Sequence, residues 1–224
     1  MGAKTWMLVY AETDARAALK AKPMLDREAT ARMAARLFPG EALQPLEDGS
    51  LGWTNPPDDE LVIGCFSGVT VIAAREFGLD RPSTLPRSFI DAGGRGSIQL
   101  YGMHSVVDWF AHAAWSNGQL VRSVSLSPDS GIMEDIGARL PVEAPYWAGE
   151  HSADDEEDPE DPYPLPFHPL EFGEAILEAT LGFQYEGYLQ PDTLEPEHIV
   201  LARYRRTKAG WTHRLPSAFG RSAR

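Results

Sequence analysis

Asn117-Gly118 separates two apolar runs, residues 107–115 and 119–126, and this dipeptide constrains the fold more than any other pair in the chain. A two-residue hairpin loop needs positive φ at both central positions, which asparagine and glycine tolerate where most residues do not. In the first run Trp109, Ala111, Ala113 and Trp115 alternate with Phe110, His112 and Ala114, the period of a strand rather than a helix. The same grammar extends upstream. Short apolar runs at 43–46, 50–53, 61–66 and 69–74 are divided by turn signals at Asp48-Gly49, Asn55-Pro56-Pro57 and Ser67-Gly68. Residues 4–10 open the chain as a further strand, and 97–101 and 131–136 add others.

Helical periods are fewer. Residues 14–20 are alanine-rich and end before Pro23. Asp26 caps a second helix with Ala29, Met33 and Leu37 on one face, stopped by Pro39-Gly40. Pro169 sits in the first turn of a third, where Leu170, Phe172, Ile176, Leu177 and Leu181 form an apolar face and Gly182 terminates it. Helices with wide apolar faces need an apolar partner, and the strands supply one. The expected class is therefore α+β, mostly antiparallel sheet with helices packed on one side. Residues 1–187 read as one such domain. Within it the Gly/Pro-rich stretch 77–96 is either a long loop or a seam between two halves.

Charge divides what remains. The net charge of -13 is spread as -3 over residues 1–133, -17 over 134–197 and +7 over 198–224. The first two segments disfavour polyanionic partners for the body. Residues 152–163, with seven acids between 154 and 161, form an acidic loop expected to be disordered, and 188–224 form a basic tail. In that tail Arg203, Arg205, Arg206 and Lys208 lie near Tyr204 and Trp211. Three readings stay open: contact with RNA, a last strand with solvated charges, or a clasp of the tail onto the protein's own acidic loop.

A lone cysteine, Cys65, makes no internal disulfide and suits a reducing cytoplasm. No apolar stretch approaches the length of a transmembrane helix, and the five-residue apolar run at 6–10 is too short for a signal peptide, so no membrane partner is expected. Familiar catalytic motifs fail at particular residues. Gly64-Cys65-Phe66-Ser67-Gly68 has phenylalanine where a nucleophile elbow needs serine. Gly93-Gly94-Arg95-Gly96 precedes a strand instead of opening a helix, so no nucleotide or other cofactor is expected. His104, Asp108 and His112 have ligand chemistry at i, i+4 and i+8, but on a strand four residues span about 13 Å and no ion touches two of them. Tyr146, Trp147, Glu150 and His168 bring aromatic rings and a carboxylate together, which makes them the first place to look for a ligand.

Three segments also carry a resemblance. Gly2-Ala3-Lys4-Thr5-Trp6, Pro145-Tyr146-Trp147-Ala148-Gly149-Glu150-His151 and Leu165-Pro166-Phe167-His168-Pro169-Leu170-Glu171 look like an actinobacterial family of unknown function, across residues 1–187. The resemblance implies an origin and no activity, cofactor or catalytic residue. The expectation is a cytoplasmic bacterial interaction or accessory protein without catalysis, acting on an unidentified protein partner. The alternatives are a small-molecule hydrolase, with or without the assistance of a metal, and an RNA-associated protein acting through its tail.

Overall fold

The first strand, β1 (Lys4–Ala11), carries apolar side chains on both faces, Met7 and Val9 on one and Leu8 and Tyr10 on the other, all of them buried. Such a strand has to lie between two covering layers. The computed structural model, which describes residues 3–153, 163–186 and 193–208, places it in the middle of a ten-stranded sheet. On one side β1 pairs with β5 (Val69–Ala73), followed outward by β4 (Glu60–Phe66), β10 (Val200–Lys208) and β2 (Glu41–Pro45), while the short β3 (Gly49–Ser50) also pairs β10. On the other side come β6 (Ser97–His104), β7 (Trp109–Ser116), β8 (Gln119–Ser127) and β9 (Gly131–Gly137). Each pair of neighbouring strands is antiparallel. The β7–β8 loop is the hairpin expected from Asn117-Gly118: Ser116 pairs with Gln119, and the two loop residues have φ of 51° and 74°.

The α+β class and the antiparallel sheet match the sequence. The helices, however, divide between the two faces instead of sharing one. On the first face α1 (Ala15–Lys20) and α5 (Pro169–Leu181) bring Leu19, Phe172, Ile176 and Leu177 against Met7, Val71, Tyr101 and Phe110. On the second, α2 (Arg27–Leu37) and α3 (Arg87–Ala92) bring Ala34, Leu37, Phe89 and Ile90 against Leu8, Ile63, Ile72 and Leu100. The physical reason is the two-sided apolar character of the inner strands, because a single helical layer would leave one face in water.

Local signals set the helix ends. Asp26 Oδ1 accepts from Ala29 N at 2.9 Å to cap α2, and Gly182, in the left-handed region at φ 86°, closes α5. Stretch 77–96 is not structureless. It contains α3 and the 3-10 turn Pro82–Thr84, and Phe77, Leu85, Phe89 and Ile90 from it are buried in the second face. The basic segment at 200–208 is likewise not a free tail, since it forms β10 between β2 and β4. Residues 154–162, 187–192 and 209–224, which hold most of the acidic loop and both ends of the tail, lie outside the described residues.

Candidate functional site

α2 and α3 cover only part of the second face. Near the start of β1 and the β6–β7 turn, that face is left as an open groove of about 600 Å³. Its floor comes from three neighbouring strands: Trp6 on β1, His104 at the end of β6 and Trp109 at the start of β7. Register explains the convergence, because Trp6 pairs across to Gly102 and His104 pairs to Trp109. The Trp6 ring lies 5.9 Å from Trp109 at 55° and 5.8 Å from His104 at 40°, so the rings meet as a tilted corner. Arg75, Gly78 and Asp80 form one wall, and Ser127, Asp129, Ser130 and Met133 form another.

Two glycines make room for these rings. A Cβ on Gly102 would stand 2.4 Å from Trp109 Cη2, and one on Gly78 would stand 3.2 Å from Trp6 Cε3. Gly102→Ala is accordingly expected to cost about 1–3 kcal/mol by overpacking and to change the near-ultraviolet circular dichroism of the tryptophans. Equal stability and an unchanged spectrum in that variant would show that the Trp109 ring is free to move away.

Electrostatics in the groove are lopsided. Arg75 pairs with Asp58 at 2.9 Å, whereas Asp80 and Asp129, both exposed, make no ion pair among the described residues. His104 has its pKa lowered by burial and by the nearby Lys4 ammonium, so it is neutral at neutral pH, and its Nδ1 accepts from Val106 N. The Lys4 ammonium stands over the Trp6 ring, 5.4 Å from its centroid. Trp109 is 8% exposed, and its Nε1 is buried with no hydrogen-bond partner among the described residues.

The residues singled out from sequence fall in several places. Tyr146 is buried and packs against Phe167 and Phe172 while stacking on His151 at 4.2 Å. Trp147 donates from Nε1 to Glu143 Oε2 at 3.1 Å and lies under the Arg139 guanidinium. These two rings therefore serve as packing for the first face, while Glu150 is exposed at the end of the following turn. His168 is the N-cap of α5, its Nδ1 accepting from Leu170 N, and it stacks on Tyr163. Its Nε2 is 3.7 Å from Asp108 Oδ2, a contact that sequence reasoning did not foresee.

His104, Asp108 and His112 do not converge. The β6–β7 turn intervenes, so His104 faces the groove with Trp6 while His112 packs on the opposite face against Tyr101. Among the described residues no group of three His, Cys, Asp or Glu is placed to hold a metal ion. His112 is fully buried, and desolvation, helped by Arg122, pushes its pKa down to about 3. Cys65 is buried too, and burial raises its thiol pKa, the opposite of what a nucleophile needs.

The β10 arginines are matched by carboxylates of the sheet. Arg203 reaches Glu60 at 2.9 Å, Arg205 reaches Glu60 and Asp59, and Arg206 is forked between Glu41 and Glu76. Arg206 is buried and also covers the Phe38 ring at 3.9 Å. Lys208, at the end of the strand, is exposed. Charge that reads as a polyanion-binding tail thus serves to fix a strand between two acidic neighbours.

Two further polar clusters are internal. Arg122, fully buried on β8, donates to Glu143 at 2.8 and 2.6 Å and to Asp135 at 2.6 Å, and Glu143 also accepts from Leu140 N. Glu174 on α5 accepts from Tyr185 N and Glu186 N, and burial raises its pKa to about 7. Tyr185 OH in turn joins Thr5 and Thr54. Neither cluster opens into the groove.

Among the described residues no helix is long and apolar enough to cross a membrane. A family model described as a family of unknown function (DUF6928) matches residues 5–204. No curated protein and no solved structure matches the chain.

Proposed function

We propose, for a chain that belongs to this family of unknown function, that it is a cytoplasmic binding protein which holds a ligand in the tryptophan-floored groove and performs no covalent step on it. What supports the reading is one observation. Two tryptophans and a histidine are presented to the groove at the part of the sheet that α2 and α3 leave uncovered. Large rings presented to a concave surface contribute contact area at little conformational cost, which is how most ligand pockets obtain affinity. The only cysteine is buried and its thiol pKa raised, and this supports both the absence of a nucleophile there and a reducing compartment.

Tryptophan emission followed during titration with sugars, organic cations and uncharged amphiphiles tests the reading. At least one class is expected to give a saturable change, with the ligand recovered chemically intact. Trp6→Leu is expected to weaken that response at least about tenfold, the range of losing one well-placed ring contact. Consumption of the ligand, or no saturable response from any class, overturns the proposal.

A further inference from the structure

We infer that the ligand of this groove is a small organic cation carrying an alkylated ammonium group. The inference rests on the binding-protein reading above and adds the chemical class. Two features of the groove point the same way.

The first is the floor. Trp6, Trp109 and His104 meet as tilted rings with centroids under 6 Å from Trp6, a corner in which Trp6 and His104 are partly exposed and Trp109 is 8% exposed. A ring face carries the negative end of its quadrupole, and tryptophan carries the strongest among the side chains. The second is the rim. Asp80 and Asp129 are unpaired among the described residues, and Arg75, the cation of the wall, is already held by Asp58. Once that pair is set aside, two carboxylates remain to attract positive charge. The chain's own Lys4 ammonium stands over Trp6 at 5.4 Å, so a ligand cation has to sit on the ring surface away from it or displace it.

Alkylation follows from desolvation. A bare ammonium is strongly hydrated and loses that water when it enters an aromatic corner, whereas a trimethylammonium group presents methyls to the rings and spreads its charge. His104 is neutral at neutral pH and adds no repulsion.

The test compares choline with 3,3-dimethyl-1-butanol, its uncharged carbon isostere, by tryptophan fluorescence at low and at high salt. Choline is expected to give a saturable change, the isostere to bind at least about tenfold more weakly, and the choline affinity to fall as salt rises. Asp80→Asn with Asp129→Asn, at two exposed positions, is expected to weaken choline at least about fivefold without moving the thermal midpoint. Trp6→Leu is expected to weaken it at least about tenfold. Equal affinity for the isostere overturns the cation assignment and leaves the binding reading standing. Choline binding that is unchanged in both variants also overturns the assignment, because the ligand is then held elsewhere. Silence toward choline, with a saturable response to a sugar, overturns this inference alone; silence toward every class overturns both.

Discussion

Arg122→Met is expected to destabilise the protein by about 3–5 kcal/mol, the usual cost of removing one partner from a buried ion pair. The guanidinium is fully buried and supplies both of its forked donors to Glu143 and a third bond to Asp135. Without it the fully buried Glu143 carboxylate keeps, among the described residues, only Leu140 N and Trp147 Nε1 as donors. Asp135 loses less, since it is partly exposed and still pairs with Arg139 at 3.0 Å. The loss therefore comes mainly from a stranded charge. Adding Glu143→Gln removes that charge while keeping an acceptor oxygen, and it is expected to recover about half of the loss. Urea unfolding of the parent, the single variant and the pair measures this. A pair no more stable than Arg122→Met alone would mean that the cavity, and not the charge, dominates.

The second large effect is on pH. His112 has a folded-state pKa of about 3 against an ordinary 6.5, so the unfolded chain binds its proton first. Its contribution to stability is complete above about pH 6.5 and is lost as pH falls toward 3, at most about 5 kcal/mol over the whole interval. Glu174 acts in the opposite sense. Its pKa is raised from 4.5 to about 7, so the folded state binds the proton more tightly. That contribution is complete below pH 4.5 and is lost as pH rises through 7, at most about 3 kcal/mol. From about pH 4.5 to 6.5 the two slopes offset each other and the parent is expected to be nearly flat, falling steeply only below pH 4.5. Each single variant exposes the other group. Glu174→Gln is expected to gain stability steadily from pH 4.5 to 6.5, and His112→Phe to lose it across the same range. Parallel profiles for the parent and both variants would remove these two residues from the account.

How much of this was legible depends on how local each signal is. The β7–β8 hairpin was readable because Asn117-Gly118 states its own backbone geometry. The ends of α5 were readable because Pro169 and Gly182 act within one turn of the chain. The cap of α2 was readable, but its buried face was displaced by one position: Thr30, Ala34 and Leu37 are inside, and Met33 is only partly covered. Threonine at an inner position carries no apolar signal, yet Thr30 Oγ1 accepts from Cys65 N at 2.9 Å and donates to Asp26 O. The division of helices between two faces was present in β1, where Leu8 and Tyr10 are as apolar as Met7 and Val9.

The groove was not legible, because its floor is assembled by register between β1 and the β6–β7 hairpin, which begins about 90 residues later in the chain. Trp6 and Trp109 were visible singly, as ordinary members of apolar runs. Conversely, Tyr146 and Trp147 looked like a binding surface because aromatic rings beside carboxylates have the same composition in a cleft as in a core. Phe167 and Phe172, which cover them, come from a later segment. β10 was legible as one of three readings, a last strand, but the sequence did not show that its charges are paired and not solvated, because Glu41, Glu60 and Glu76 reach its arginines only in the fold.

The placement of β10 also bears on the order in which this protein can be made. Among the described residues β2 pairs with no strand but β10, and the outer side of β4 is paired by β10 alone. A chain leaving the ribosome from its N-terminus has therefore produced β1 to β9 and α5 before the partner of β2 and β4 exists. During that interval Leu61, Val62 and Ile63 belong to an open edge, and an unpaired apolar edge invites pairing with another chain. The carboxylates that later receive the arginines, Glu41 and Glu60, sit on those same two strands. Before β10 arrives they are unneutralised negative charges along that edge, so the residues that fasten the last strand also repel a second nascent copy until it is in place.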